Sequence, residues 1–433
     1  MCKQCEPRCP PKHCKKCVEK HVIKCLPYSI HKSGQYCLGK DFHWSDAAQS
    51  AITITADNVV LDFNQRVITI TVATTNSVVY ADGVKDLVLD NVHLETSGDG
   101  SYAADGVDIR NSSAVTINSP RFFNNRIALY TEVVKGLEIH DLYLENEDAS
   151  LSPSLPILLY LVDNLKFFDS SVKNGRTLIG APLNADIQRL QSHNSIPSRF
   201  TGKCLEFFSS TVVNKVFTNT VPIRTSSNVH VSECELISEN GIALFAFGQS
   251  PGQFGLDFAE TNELFLIENN VITGGGLAGS AIDLQNFRSG AIVKCNQLKT
   301  TGNFAAGVLA YGKDIRIQNN NIICDAPESL NIGILLFAPD LVAFPEGKRS
   351  EYCFVDNNSV TGASFRGFTE NFAGRGTYCA IFKDNMATGN VVNYSFDPVT
   401  YGTVESNNLE SCVTVEVESL SKNLQEMFSD HER

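Results

Sequence analysis

The stretch IENNVITG at residues 267–274 decides the fold, because similar stretches follow it at 317–324 (IQNNNIIC) and 355–362 (VDNNSVTG). Each copy starts with a β-branched apolar residue, continues with two polar residues and an asparagine, and ends in a second short apolar segment. A unit that returns in this way indicates a repeat architecture. The rest of the chain can be aligned by asking which residues share the position of Ile267.

Thirteen positions share this register, and each precedes a polar turn. They are Leu61, Leu89, Ile117, Ile139, Phe167, Phe207, Val231, Ile267, Val293, Ile317, Val355, Phe382 and Val404. Nine of the twelve intervals span 22 to 28 residues, and three are longer. The segments around these positions alternate with period two, as strands do, and lack the 3.6-residue period of helices.

A repeat of roughly 25 residues built from short strands cannot bury its own apolar side, so the units must stack. Leucine-rich repeats have a similar period, but their L-x-x-L-x-L-x-x-N framework is missing, and a propeller blade would need about 40 residues. The sequence therefore predicts an all-β fold, a right-handed parallel β-helix of about 13 rungs. At about 4.8 Å per rung the coil would be roughly 60 Å long.

An asparagine follows the register residue by three positions in many rungs. These asparagines are Asn64, Asn270, Asn296, Asn320, Asn358, Asn385 and Asn407. Asparagine tolerates a left-handed turn, and stacked copies can hydrogen-bond from one rung to the next. The repetition favours a structural ladder over a catalytic role.

The three long intervals, within 168–206, 232–266 and 318–354, predict loops on the scaffold. Such loops could pack over the coil, form a subunit interface or line a groove. The chain is divided into an arm at 1–33, the coil at 34–415 and an amphipathic C-terminal helix at 416–433, which would cap the last rung.

The arm is rich in cysteine and positively charged. Cys2, Cys5, Cys14 and Cys17 form two C-x2-C pairs, which fit either a zinc site or disulfides. Residues 1–43 hold nine basic and three acidic residues, a formal charge of +6, whereas the rest of the chain holds 26 and 45, a charge of −19. The acidic body argues against nucleic-acid binding. No apolar run is long enough to span a membrane or to act as a secretion signal.

Residues 34–64, GQYCLGKDF…ADNVVLDFN, resemble the opening rungs of right-handed parallel β-helices of the pectin-lyase-like superfamily. The resemblance covers about 34–415, and the unsignalled cysteine-rich head is similar to that of repeat proteins encoded by large DNA viruses. It implies either a spike, fibre or shell component that contacts glycans, or an enzyme that cleaves polysaccharides.

The stretch AADGVDIRNSSAVTI at 103–117 resembles a catalytic segment of polygalacturonase-type glycoside hydrolases. The resemblance puts Asp105 at the position of the first catalytic aspartate, with Asp108 beside it. Asn124 and Asn125 stand where the family has an aspartate pair, and no G-H-G follows. Without those carboxylates the expected acid and base are missing, and Asp105 and Asp108 are then expected to be turn residues.

A lyase mechanism would need a calcium-binding acid cluster and a basic residue that removes a proton. Acids of adjacent early rungs, with arginines nearby in sequence, offer such a set. They are Asp82, Asp86, Asp90, Asp105 and Asp108, with Arg110, Arg121 and Arg126. Solvated charges on the surface of the coil explain the same pattern.

These observations favour a non-enzymatic structural or surface protein, a virion component that binds other structural proteins of its assembly through the cysteine-rich arm. A homo-oligomer fits the fold. The alternative is a polysaccharide hydrolase or lyase, or a glycan-binding protein, that uses a groove along the coil with Asp105 and Asp108. Zinc at the N-terminal cysteines is the one cofactor that the sequence suggests.

Overall fold

The computed structural model describes residues 20–411, except 73, 98–103, 147–156, 175, 181–183, 194–195, 202–203, 215–218, 225–228, 248–264, 288–289, 313, 327–329, 337–351, 370–379, 397–403 and 407. Within this part of the chain all regular elements are strands. They are β1 (Lys20–Ile23), β2 (Tyr28–Ile30), β3 (Gly34–Leu38), β4 (Phe42–Trp44), β5 (Ile52–Ile54), β6 (Val59–Asp62), β7 (Ile68–Ile70), β8 (Thr74–Asp82), β9 (Lys85–Asp90), β10 (His93–Thr96), β11 (Ala104–Arg110), β12 (Ser113–Asn118), β13 (Arg121–Phe123), β14 (Ile127–His140), β15 (Tyr143–Glu145), β16 (Ile157–Phe168), β17 (Ser171–Lys173), β18 (Arg176–Gly180), β19 (Asn184–Gln188), β20 (Gln191–His193), β21 (Ile196–Thr201), β22 (Cys204–Phe208), β23 (Thr211–Asn214), β24 (Asn219–Arg224), β25 (Val229–Ser232), β26 (Glu235–Ser238), β27 (Ile242–Phe247), β28 (Phe265–Glu268), β29 (Val271–Gly274), β30 (Ile282–Phe287), β31 (Ala291–Lys294), β32 (Gln297–Thr300), β33 (Ala306–Gly312), β34 (Arg316–Gln318), β35 (Asn321–Cys324), β36 (Ile332–Leu336), β37 (Phe354–Asp356), β38 (Ser359–Thr361), β39 (Arg366–Thr369), β40 (Ile381–Lys383), β41 (Met386–Thr388), β42 (Val392–Ser395), β43 (Val404–Ser406) and β44 (Leu409–Ser411).

The strands form a parallel β-helix with three faces, which confirms the predicted all-β class. Face A contains the strands that pair in the series β1, β3, β6, β9 and β12 and continue to β43. Face B is the separate fifteen-stranded sheet from β4 to β44, among the described residues. Face C runs from β2, β5, β8 and β11 to β42. The long strands β14 and β16 turn the corner from face C to face A without a break, so these two faces join in one sheet.

The register of Ile267 is a continuous column of buried residues on face A. Ile267 pairs with Val231 on one side and Val293 on the other, and all three side chains are buried in the interior of the coil. The same column continues through nearly all of the predicted register positions, because alternate residues of each strand point inward. Burial of these columns is the main stabilising term of the fold.

Two members of this column are missing from the predicted register, Tyr36 and Ile187. Tyr36 pairs with Leu61, and Ile187 lies between Phe167 and Phe207. The prediction of a loop at 168–206 is therefore wrong in part, because this segment contains a complete 20-residue turn of the coil with β18, β19 and β20. The last predicted position also shifts by one residue, since Phe382 pairs with Glu405 and not with Val404.

The asparagine ladder is present, but the left-handed residue is its neighbour. Asn269 and Asn319 have φ of 57° and 55°, whereas the next residues in the chain, Asn270 and Asn320, form the ladder. Asn270 donates from its backbone N and from Nδ2 to Oδ1 of Asn296, both at 3.0 Å, and Asn296 donates in the same way to Asn320. Each ladder asparagine thus satisfies buried groups of two turns at once.

Both ends of the predicted ladder need correction. Asn64 is exposed and has φ of 54°, so it is a turn residue and not a ladder residue. At the other end Asn385 donates to Oδ1 of Asn408 at 3.1 Å, so Asn408 takes the place predicted for Asn407. The shift follows from the one-residue change of register at β43.

The coil reaches back to Lys20, because β1 pairs with β3 and β2 pairs with β5. The cysteine pairs of the predicted arm and the predicted C-terminal helix lie outside the described residues, as does nearly half of each of the other two predicted loops. In the part of the chain that the structure describes, no helix is long and apolar enough to cross a membrane.

Strain at one corner gives a first prediction. Val133 has φ of 56° at the corner between faces C and A and is 41% exposed. This conformation is sterically strained for a β-branched residue, whereas glycine adopts it without strain. We expect Val133→Gly to raise the free energy of unfolding by about 1 kcal/mol, measured by chemical denaturation. Val271→Gly is the control: Val271 is an exposed strand residue with ordinary geometry, and its replacement should lower stability. Equal losses in both variants would contradict the prediction.

Candidate active site on face C

Polar side chains concentrate on the outer surface of face C where β8, β11 and β14 lie side by side. Asp108 lies between Tyr80 and Tyr130 in the strand register, and Arg110 lies between Asp82 and Glu132. The intervening residues, Val107 and Ile109 among them, point into the core. These six outward residues, Tyr80, Asp82, Asp108, Arg110, Tyr130 and Glu132, are called the face C cluster.

Arg110 lies at the centre of the face C cluster. It donates from Nε to Asp108 Oδ1 at 2.9 Å and from Nη2 to Asp108 Oδ2 at 2.8 Å. Its Nη1 lies 3.8 Å from Glu132 Oε2, and its guanidinium stacks over the Tyr130 ring at 5.0 Å. The two-point bond holds the Asp108 carboxylate in a fixed orientation.

The two tyrosines each donate to a carboxylate of their own strand. Tyr80 OH donates to Asp82 Oδ2 at 3.2 Å, and Tyr130 OH donates to Glu132 Oε2 at 3.0 Å. Burial, followed by the neighbouring carboxylates, raises the pKa of both phenols. Both tyrosines therefore stay protonated, and their half-buried rings form the walls beside Asp108.

Asp105 lies three residues before Asp108 on β11, where the pairing with β8 changes register. Arg126 donates from Nη2 to Asp105 Oδ2 at 2.7 Å, and 12% of the Asp105 side chain is exposed. Gly106 permits this arrangement, since a Cβ there would lie 2.4 Å from the carbonyl oxygen of Ala128. The backbone of β14 can approach β11 closely for that reason.

Burial raises the pKa of Asp105 to about 6 and outweighs the ion pair with Arg126, which lowers it. The charge of Asp108 raises the pKa of Asp105 further, so the two carboxyls interact through space. Near neutral pH β11 thus presents two different carboxyls. The Asp105 carboxyl protonates readily, and the Asp108 carboxylate is held in place by two N–H groups of Arg110. Such a pair in unlike surroundings is the arrangement that acid–base chemistry uses.

Asp105 and Asp108 are strand residues, so the expectation that they are turn residues is wrong. Asn124 and Asn125, which suggested that the catalytic carboxylates are missing, do not belong to the face C cluster. Asn124 is a left-handed corner residue, and Asn125 is fully buried and donates to Thr96. The two asparagines, together with the missing G-H-G, favoured a non-enzymatic protein, and the structure places both asparagines outside the face C cluster.

The other acids of the predicted calcium cluster are dispersed. Asp82 belongs to the face C cluster, but Asp86 and Asp90 lie on β9 of face A, where Asn118 donates to Asp90. Among the described residues no three acidic, histidine or cysteine side chains are grouped closely enough to hold a metal ion.

Tyr80, Tyr130 and Glu132 lie outside the linear motif at 103–117, although the repeat contains a signal for their position. Asp82, Arg110 and Glu132 each lie seven residues before a register position, namely Leu89, Ile117 and Ile139. A column of charged residues at one fixed offset from the register predicts a cluster on one outer face. A motif read along the linear sequence does not show this offset.

Face C has a further buried carboxyl beyond those of β11, Asp283, which gives a prediction on stability. It lies between Phe245 and Leu309 in the register, is 5% exposed and accepts a bond from Gln285. Burial raises its pKa to about 7. Because the folded pKa lies above the unfolded value, the folded state loses stability as pH rises from about 4 to 7 and stays lower above that.

We expect Asp283→Asn to be more stable than the wild type at pH 8, by on the order of 3 kcal/mol, with little difference at pH 4. Denaturant titrations of both proteins at the two pH values measure this. Parallel stability curves for wild type and variant across the range would contradict the assignment.

No protein-family model matches the sequence, and no curated protein matches it at a significant level. Solved structures with a similar trace include the A-module of the mannuronan C-5 epimerase AlgE6 of Azotobacter vinelandii, with 15% identity over 88% of this chain and 92% of that one and a TM-score of 0.40. The periplasmic alginate epimerase AlgG has 9% identity over 80% and 77%, with a TM-score of 0.36.

The catalytic domain of a GH87 α-1,3-glucanase in complex with nigerose has 10% identity over 90% of this chain and 63% of that one, with a TM-score of 0.35. At these identities and TM-scores the likeness says nothing about the activity of this chain. The fold assignment rests on the strand pairing, and the function has to be argued from the face C cluster.

Proposed function

We propose that this protein is a glycoside hydrolase that cleaves a polysaccharide bound along face C. The observation that supports the proposal is the pair on β11: Asp105, whose pKa burial raises to about 6, and Asp108, which Arg110 holds at 2.8 and 2.9 Å. One supplies a proton and the other a fixed carboxylate, which are the two groups that hydrolysis of a glycosidic bond needs.

In this mechanism protonated Asp105 gives its proton to the glycosidic oxygen as the bond from that oxygen to C1 breaks. A water molecule attacks C1 and loses its proton to the Asp108 carboxylate. Three residues along a strand separate the two Cα atoms by roughly 10 Å. Inversion requires a gap of about 6.5–9.5 Å between the two carboxyl groups themselves, which admits this water molecule.

The remaining side chains of the face C cluster support the same reaction. The transition state develops positive charge on the sugar ring, and Asp82, Asp108 and Glu132 provide negative charge around it. Tyr80 and Tyr130 offer flat apolar rings with a polar tip, which suit a sugar ring. Arg126 keeps Asp105 oriented until it donates its proton.

The test is the release of reducing ends from a panel of polysaccharides, measured from pH 4 to 8. We expect activity at about pH 5 and a decline above about pH 6, because only protonated Asp105 can act as the acid. Unsaturated ends in place of reducing ends would indicate a lyase. No new ends from any polysaccharide at pH 5 would refute the proposal.

A further inference from the structure

The charge of the face C cluster is unbalanced. Asp82, Asp108 and Glu132 contribute three carboxylates, and Arg110 is the one guanidinium among them. That guanidinium is already bonded to Asp108 and lies 3.8 Å from Glu132. The six residues therefore have a formal charge of −2 when the three acids are ionised.

The pair next to the cluster does not change the balance. Arg126 and Asp105 form an ion pair at 2.7 Å, so together they are neutral when Asp105 is ionised. The wider surroundings have the same sign as the cluster, because residues 44–433 hold 26 basic and 45 acidic residues. A polyanion that approaches face C is thus repelled both by the cluster and by the whole coil.

We infer that the site on face C selects an uncharged polysaccharide and rejects polyuronates. The inference rests on the proposed function and names its substrate class. A uronate needs a free cation near its carboxylate, and Arg110 already has two acidic partners in the cluster. A neutral sugar needs hydrogen-bond acceptors and apolar rings, which Asp82, Glu132 and the two tyrosines supply.

The test compares the binding of two polysaccharides, called twins, that have the same backbone and differ only in charge. The polysaccharide that binds most tightly in a panel is paired with a twin of the same backbone: carboxymethylated if the parent is neutral, methyl-esterified if it is a uronan. Binding is measured by affinity gel electrophoresis at low and at high salt. We expect the uncharged twin to bind at least about tenfold more tightly at low salt, with a smaller difference at high salt.

Two double variants locate the effect. Asp82→Asn with Glu132→Gln removes two charges from the cluster, and we expect the preference to fall to less than about threefold. Asp186→Asn with Glu206→Gln removes two charges from neighbouring outward positions of face A and should leave most of the preference.

A charged twin that binds as tightly as the uncharged one would overturn the inference and would leave the proposed hydrolysis intact if reducing ends still appear. An equal loss of preference in both double variants would overturn the role of the cluster. If no polysaccharide binds, the inference fails together with the proposed function.

Discussion

Asp105→Asn is expected to lower kcat for polysaccharide hydrolysis by about 10²- to 10⁴-fold, the usual contribution of a general acid. The amide keeps the size of the side chain and can still accept a bond from Arg126, which lies 2.7 Å from the carboxylate. It cannot give a proton to a leaving oxygen. KM should change little, because the proton transfer occurs in the transition state.

Asp186→Asn is the matched control for this variant. Asp186 also lies on a parallel strand of the coil and accepts a bond from Gln188 of the same strand, but it belongs to face A. Its replacement should leave kcat within about twofold of the wild type. The account would be wrong if Asp105→Asn kept full activity while its thermal stability was unchanged.

Asn320→Ala is expected to lower the free energy of unfolding by about 3 kcal/mol. Oδ1 of Asn320 accepts from the backbone N and Nδ2 of Asn296, and Nδ2 of Asn320 donates to Val293 and Asn358. Alanine leaves the buried backbone N of Asn296 without this acceptor, and it removes one of the two partners of Asn296 Nδ2 and of Asn358 Oδ1. The cost should exceed that of an ordinary surface change several-fold.

Asn321→Ala serves as the control, because Asn321 is the next residue in the chain and is exposed on face B. We expect it to change stability by less than about 0.5 kcal/mol. Chemical denaturation of the two variants measures the difference. Similar small losses for both would show that the ladder is not a major source of stability.

The repeat could be predicted because each turn buries the same kind of residue at the same offset. Ile267 and its neighbours in the column are β-branched or aromatic, and the asparagines mark the turn that follows. Ile187 was missed because two 20-residue turns imitate one long interval. These turns are shorter than the average repeat, so they do not stand out when the register is set by the repeats with the clearest asparagine motif.

The candidate site was predictable only in part. Asp105 and Asp108 stand in a linear motif, whereas Glu132 and Tyr80 reach the cluster through strand pairing across two turns. The raised pKa of Asp105 comes from the burial of its carboxyl on β11, which no local sequence pattern shows. The zinc or disulfide alternative at Cys2, Cys5, Cys14 and Cys17 and the virion location stay predictions, since the cysteines lie outside the described residues.

The most direct test of the central claim is a crystal structure of the Asp105→Asn variant with an oligosaccharide of the polysaccharide that binds best. The account predicts a sugar chain on face C between Tyr80 and Tyr130, with a glycosidic oxygen about 2.6–3.2 Å from the side chain at position 105. A water molecule should lie between C1 and Asp108. A sugar chain bound to another face, or one on face C with position 105 out of reach of every glycosidic oxygen, would contradict the account.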